Sequence, residues 1–277
     1  MHDEQALRAR AKELASVHWH HSIRLFPDLL IEGSKSESLL QAERAAILGP
    51  LDFAGREVLD IGSWNGYFAF EAKRAGAARV VASDSLCWHI PVFRGRETFD
   101  LGRECLGLDI EAKVIDPTQL PGDLAPVDIV LFLGVFYHMH DPVAVLKAAA
   151  ALAREALVIE THQDLLDLPR PGMAFYPRAT LNGDESNWWG PNPECVFELL
   201  ESIGWPQVYY QPHPVVGATR GIYHAFRSDQ AAQRAFRGGP GVLDLRTPAG
   251  QAAAFARAAL APASAPARGG FLRRWLR

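Results

Sequence analysis

The sequence predicts an α/β protein: a doubly wound, mostly parallel sheet preceded by a helical lid. Three observations carry that expectation. From Glu57 to Glu160, short apolar runs (EVLDI, RVVASD, VDIVLFLGV, ALVIE) alternate with helical stretches. Such runs suit strands buried on both faces, and the helices between parallel strands cover those faces. A glycine-bearing turn, DIGSWNG, leaves the first of these strands and opens the first of these helices, where sheets of this kind hold ligands. A chain of 277 residues, 48% hydrophobic and 22% charged, can bury one large core. Together these features describe a Rossmann-like fold.

Taken in order, Asp3 to Val17 carries helix-forming Ala, Glu, Arg and Leu, and HWHHSIRLFP leads to a loop at Glu32-Gly33-Ser34. A second helix is expected from Ser36 to Leu48, with Ser36 as its N-cap. Residues 1–50 therefore read as a helical cap or lid, and 51–228 as the main α/β domain. Within that domain YFAFEAKRAGA follows the first strand, a polar helix-compatible stretch runs from the second strand to Gly107, and EAKVID supplies a third. VDIVLFLGV is the fourth strand, and Asp141-Pro142 has the chemistry of an N-cap and first helical position for the helix that follows. ALVIETH is the fifth. Leu166 to Asn192, rich in Pro, Gly, Asn and Trp, reads as an ordered irregular loop in which one of the adjacent Trp188 and Trp189 is core. PECVFELLESIG is a helix, and WPQVYYQPHP with TRGIYHAFR a closing strand pair. Residues 229–277 carry eight Arg against two Asp and read as an Ala/Arg-rich, partly disordered extension of weak core-forming potential. It has an Ala/Pro hinge at Ala259 to Ala267, and the second reading of FLRRWLR is an amphipathic end for a membrane or partner.

Composition also excludes. A formal charge of −4 lacks the basic excess of proteins that grip phosphate backbones, which counts against an RNA substrate. The three cysteines, Cys87, Cys105 and Cys195, supply neither a disulfide framework nor a CxxC knuckle, so a reducing cytosol fits. The N-terminal segment is polar, and no run has the apolar length to span a bilayer, so a cytoplasmic protein is expected.

Asp60, Gly62, Ser63 and Gly66 sit between strand and helix, where glycine permits close approach to a ligand and tight helix entry. Asp84, ending the second strand, is placed to accept from ribose hydroxyls, and Asp116, ending the third, to read an adenine amine. The pattern is not G-x-G-x-x-G and no G-K-[ST] follows, so a Walker loop is excluded and a dinucleotide fingerprint poorly matched. Trp64 stands where glycine is usual. A ligand without phosphate tolerates that bulk, and S-adenosylmethionine has none; in the alternative, the glycines serve only packing.

The run VLDIGSWNGYFAFEAKRAGAARVVASD resembles the class I S-adenosylmethionine-dependent methyltransferases. VDIVLFLGVFYHMHDPVAVLKAAA, ALVIETHQDLLDLPRPGMAFYP and LNGDESNWWGPNPECVFELLESIGW narrow the resemblance to the branch of the tRNA wobble-uridine (carboxy)methyltransferases, over roughly Trp19 to Arg227. It implies that Asp60, Gly62 and Gly66 surround the methionine part, Asp84 the ribose and Asp116 the adenine, with Gly134 and Tyr137 beside the sulfonium. It also implies that Trp19 to His21 form a lid segment over the cofactor. The carboxy-S-adenosylmethionine enzymes hold the extra carboxylate with Lys, Tyr and Arg; Tyr137 matches the tyrosine, Arg220 the arginine, and Lys35 aligns with the lysine only loosely. The basic, Trp-rich insertion of the tRNA enzymes is absent.

Methyl transfer needs alignment of the acceptor, and a base where the acceptor carries a proton. FYHMHDP and ETH end neighbouring strands, so His138, His140, Glu160 and His162 are candidate bases, with His138 and His162 foremost and Tyr137 beside them; each has a bland alternative as a hydrogen-bonded loop or core residue. His138, His140, Asp141, Glu160 and His162 also have donor types suited to a divalent metal, although the spacing matches no known motif. Trp188 and Trp189 can provide a flat wall for a sugar, aromatic ring or nucleobase, and Trp19, His21 and Arg220 complete the expected substrate-facing set. The expected function is O-methylation of a small molecule or sugar in glycan or secondary-metabolite biosynthesis, with S-adenosylmethionine as cofactor. Alternatives are tRNA wobble-uridine methyl- or carboxymethyl transfer, favoured by a basic patch of Arg94, Arg96, Arg103 and the tail, and a non-catalytic S-adenosylmethionine-binding protein.

Overall fold

The computed structural model describes residues 3–259. The chain begins with α1 (Glu4–Leu14), a hairpin of β1 (Ile23–Phe26) and β2 (Leu29–Ile31), and α2 (Glu37–Ile47). Ser36 caps α2 by accepting from the Leu39 amide. Both expected lid helices form, and the segment between them adds a hairpin: IRLF alternates buried and exposed positions, and Pro27-Asp28 turns the chain back.

The central elements follow as β3 (Glu57–Ile61), α3 (Tyr67–Arg74), β4 (Arg79–Asp84), α4 (Leu86–His89), α5 (Gly95–Cys105), β5 (Glu111–Val114), β6 (Val127–Leu133), α6 (Pro142–Leu152) and β7 (Ala153–His162). The helix-compatible stretch after β4 forms two helices, because Pro91 has no amide to continue α4. Asp141 caps α6 through the Ala144 amide, with Pro142 in the first turn. Within the 166–192 loop, β8 (Met173–Phe175) pairs with β9 (Trp189–Pro191). The chain then forms α7 (Pro193–Ser202), β10 (Gln207–His213), β11 (Gly217–Phe226), α8 (Asp229–Ala235), β12 (Leu243–Asp244) and α9 (Pro248–Ala259).

The main sheet has the order β12-β10-β11-β7-β6-β3-β4-β5. Strands β3 to β7 run parallel, and β11 runs antiparallel to β7. The chain winds outward from β3 to β5, then returns to β6 on the other side. That reversal opens a crevice at the carboxyl ends of β3 and β6. Two apolar layers flank the sheet, one including Phe68, Phe70, Phe99 and Ile222, the other Phe132, Leu146, Trp205 and Tyr210.

The expected weak core beyond Arg227 is also corrected. Ala231, Ala232 and Ala235 of α8 are buried, as are Leu245 and Ala254, and β12 extends the sheet by pairing with β10. Small side chains let these segments lie close against the sheet. FLRRWLR and the hinge beyond Ala259 fall outside the described residues.

Candidate functional site

At the reversal point the loops after β3 and β6 touch. Gly62 has φ +77°, and a Cβ there would lie 2.6 Å from Val135 Cγ2. Gly66 has φ +91°, with Phe70 and Phe99 ring atoms 2.6 Å from the site of its missing Cβ, so only glycine fits. Asp60 accepts from the Ser63 hydroxyl at 2.7 Å. Burial pushes the Asp60 carboxyl up to about 6, against the lowering effect of that hydroxyl. Asp84 accepts from the Trp64 and Cys87 amides, both at 3.0 Å, and burial, only partly offset by those amides, raises it. Each of its oxygens keeps a second lone pair for a diol. Asp116 accepts from the Thr118 amide at 2.8 Å and lies 3.5 Å from the Ser85 hydroxyl. Leu86, two residues beyond Asp84, is 51% exposed.

On the lid side, Trp64 adopts φ +51°. Its ring meets His18 at 5.4 Å and Phe93 at 5.2 Å edge-on, and stacks on His20 at 5.6 Å. The Trp88 indole N–H donates to the Trp64 carbonyl at 2.8 Å. Asn65, fully buried, accepts from the His20 amide at 2.7 Å and donates to Thr98 at 2.5 Å. It ties lid to loop, a role that its place in the motif did not signal.

Trp19 is corrected from a substrate-facing residue to a core pin: it is 2% exposed, and its indole N–H donates to the Leu14 carbonyl at 2.8 Å. His21 is buried against Tyr67 and Phe68, with its Nδ1 unpartnered; burial, then Lys35, holds it well below its ordinary pKa. Lys35 donates to both Glu43 oxygens at 2.8 and 2.9 Å, and Glu43 lies 3.0 Å from His213 Nε2.

Across the crevice, Arg220 of β11 pairs with Glu160 of β7 through Nε to Oε1 and through Nη2 to Oε2 at 2.8 Å. Its Nη2 also donates to the Tyr137 hydroxyl at 3.3 Å. Burial raises Glu160, but the Arg220 guanidinium more than offsets this and holds it low. Gly134, φ +70°, leaves a cradle here: a Cβ would stand 3.8 Å from Glu160 Oε2 and from the Tyr137 hydroxyl, and 3.9 Å from Arg220 Nη2. This cradle is charge-balanced, and the buried carboxylates of Asp60 and Asp84 across the loop fit a hydroxyl-bearing cofactor with a cationic amino-acid portion such as S-adenosylmethionine.

His138 Nδ1 lies 3.0 Å from both the carbonyl and the hydroxyl oxygen of Ser186. Burial lowers its pKa, against the raising effects of the Ser186 carbonyl and Asp184. His162 Nε2 is 3.2 Å from the Tyr176 hydroxyl, which donates to Asp164; burial, then Arg220, drops His162 to about 4.

Trp188 and Trp189 are both half-buried, which corrects the expectation that one is core. Trp188 packs on His140 at 4.1 Å and stacks with Phe175 at 6.3 Å, and Trp189 meets Phe175 at 5.1 Å. Trp189 pairs with Phe175, itself 54% exposed, across β8 and β9, and its indole N–H donates to the His140 carbonyl at 3.3 Å. The Trp188 amide donates to the Tyr137 carbonyl at 2.8 Å, which hangs this aromatic wall on the polar cradle. His140 is exposed on Trp188 and Glu160 is bound to Arg220. The metal candidates His138, His140, Asp141, Glu160 and His162 therefore do not converge, and among the described residues no three His, Cys, Asp or Glu side chains could share a metal ion. No helix of the described residues is long and apolar enough to cross a membrane.

The profile of a family described as a methyltransferase domain matches residues 34–201. The tRNA U34 carboxymethyltransferase of Geobacter sp. (strain M21) is 27% identical over 164 residues, 56% of this chain and 46% of that protein. Its counterpart in Pseudomonas putida (strain W619) is 30% identical over 167 residues, 57% and 48% of the two chains. The chain thus spans about half the length of the curated relatives it matches. Among solved structures, the N-terminal domain of EvdMO1 in the presence of SAH and D-fucose aligns with TM-score 0.60 and 20% identity over 82% of this chain and 97% of that one. The mitomycin 7-O-methyltransferase MmcR aligns with TM-score 0.50 and 18% identity over 69% and 54%. At these identities the structural likeness shows the fold.

Proposed function

The chain belongs to the methyltransferase domain family, and on that premise we propose that it transfers a methyl group from S-adenosylmethionine to an oxygen of a small molecule or sugar. When bound, S-adenosylmethionine supplies an electrophilic methyl carbon on a cationic sulfur. Asp84 receives the ribose diol, Asp116 and Leu86 flank the base, and Asp60, Ser63 and Gly62 border the methionine portion. Gly134 allows close approach, and the Tyr137 hydroxyl, held by Arg220, which Glu160 neutralises, borders that approach. The protein's main contribution is alignment, completed by a neutral histidine that takes the acceptor's proton.

The observation that carries the acceptor class is the half-exposed wall of Trp188, Trp189 and Phe175, hydrogen-bonded to Tyr137. Indole faces suit sugar rings and aromatic rings alike. The presence of D-fucose with the EvdMO1 domain and the O-methylation in the name of MmcR support the same class. The tRNA reading rests on the names of the sequence relatives. Against it, Arg94 pairs with Glu13 and Glu97, and Arg96 and Arg103 both pair with Asp100, so these arginines bring little unbalanced charge to a phosphate backbone. For carboxymethyl transfer, Arg220 is already engaged by Glu160 and Lys35 by Glu43.

Labelled methyl transfer from S-adenosylmethionine separates the readings. Label is expected on hydroxyl-bearing glycosides or phenols and not on bulk tRNA at low salt. Label on tRNA alone overturns the acceptor assignment, and label on neither favours a non-catalytic binder.

A further inference from the structure

His138 and His162 both stand at the rim, and their second-ring-nitrogen partners distinguish them. His138 Nδ1 faces two oxygens of Ser186, each at 3.0 Å. A carbonyl oxygen can only accept, so Nδ1 carries the proton and Nε2 is left as the basic lone pair. The Ser186 hydroxyl spends its own proton on Asp184 Oδ1 at 2.7 Å, so toward His138 it too is an acceptor. The same Asp184 oxygen accepts from the Ser186 amide at 2.9 Å. Asp184 is 7% exposed and is fixed by the turn in which its amide donates to the Leu181 carbonyl at 3.2 Å.

We propose that Asp184 and Ser186 are positioning residues that hold His138 in its Nδ1-protonated form, so that His138 Nε2 takes the proton of the acceptor hydroxyl. The inference rests on the O-methyltransferase reading. As the acceptor oxygen bonds the methyl carbon, its O–H bond breaks, the carbon–sulfur electron pair stays on sulfur, and the proton lodges on Nε2. One positive charge thereby moves from sulfonium to imidazolium. Asp184, through the Ser186 hydroxyl, stabilises that imidazolium.

The other charges around His138 do not perform this role. Arg220 of β11 opposes the protonated ring and is itself matched by Glu160 of β7. The neighbouring Tyr137 ring packs at 4.2 Å from His138, and its hydroxyl serves Arg220. Asp184 is thus the anion whose connected path leads to Nδ1. His162 has a relay of similar form through Tyr176 to Asp164, but it is 8% exposed and its pKa of about 4 makes it a weak base. His138 is the half-buried one of the two, next in sequence to Tyr137, whose carbonyl accepts from the Trp188 amide.

The test uses the full chain with Asp184→Asn and Ser186→Ala, and nitrogen-15 histidine spectra recorded without acceptor beside pH–rate profiles with it. In the wild type, the His138 resonances should show the Nδ1–H tautomer. Asp184→Asn should lower the His138 pKa, move the acid limb of kcat to lower pH, and reduce plateau kcat about 10- to 100-fold, a part of what general-base catalysis contributes, with SAH affinity unchanged. Ser186→Ala, which keeps the carbonyl, should give a smaller shift of the same sign and stands in for Asp184→Asn should that variant not fold. An Nε2–H tautomer in the wild type, or variants whose His138 pKa and kcat limb do not move, overturns the proposal. The spectra read the relay without methyl transfer, so failure to methylate any hydroxyl sinks the O-methyl reading separately.

Discussion

On the lid side of the crevice, Trp64 meets His18, His20 and Phe93 ring against ring, whereas on the acceptor side Glu160, Arg220 and Tyr137 form a charge-paired cluster. Ring packing fails gradually, because neighbours relax into lost volume. A buried ion pair fails abruptly, because losing one partner strands the other's charge. The lid side therefore fixes the shape of the crevice, and the acceptor side fixes its electrostatics.

The largest expected effect is at the ion pair. Glu160→Gln should cost about 3 kcal/mol in urea denaturation, since it leaves the Arg220 guanidinium uncompensated. Glu160→Gln combined with Arg220→Met should recover much of that loss; a single variant costing under about 1 kcal/mol would erase the contrast between the two sides.

Two buried groups of the crevice also titrate in opposite directions. Asp60, raised to about 6, is protonated more readily folded than unfolded, so its contribution is fullest below about pH 4 and is lost as pH rises through 6. His162, lowered to about 4, contributes fully above about pH 6.5, and that contribution is lost as pH falls through 4. Each shift corresponds to at most about 3 kcal/mol. Denaturation midpoints between pH 4 and 7 should rise less steeply with pH in His162→Gln than in wild type, and more steeply in Asp60→Asn.

A smaller, graded effect is expected at Trp64. Trp64→Ala should lose about 2 kcal/mol of packing. Trp64→Gly should be less destabilising than Trp64→Ala by about 1 kcal/mol, because glycine occupies φ +51° without the left-handed penalty. Thermal melts order the two; the reverse order would mean that the loop is not strained. Smallest is Trp188→Ala, expected to raise the acceptor KM about 10-fold through lost stacking while leaving SAH affinity unchanged.

Much of the architecture was legible because it is local. Alternating strand and helix patterns, the Ser36 cap and Asp141-Pro142 each lie within a few neighbouring residues. The lid hairpin was not, since strands of three and four residues carry too little periodicity. The 229–259 segment was misjudged because alanines that look weak in composition are suited to close packing on a sheet edge. At the site, the loop and strand-end residues were legible by position, but their partners were not. Glu160 engages Arg220 from 60 residues away, and His138 meets Ser186 from 48. Such pairings are created by the fold.

The crevice at the β3–β6 reversal is the seat proposed for the adenosyl donor. Calorimetric titration of SAH onto the full chain and onto Asp84→Asn tests this most directly. One site per chain is expected, weakened about 10-fold or more in the variant, as for a lost charge-assisted hydrogen bond. No heat with the wild-type chain, or equal affinity in both proteins, would contradict it.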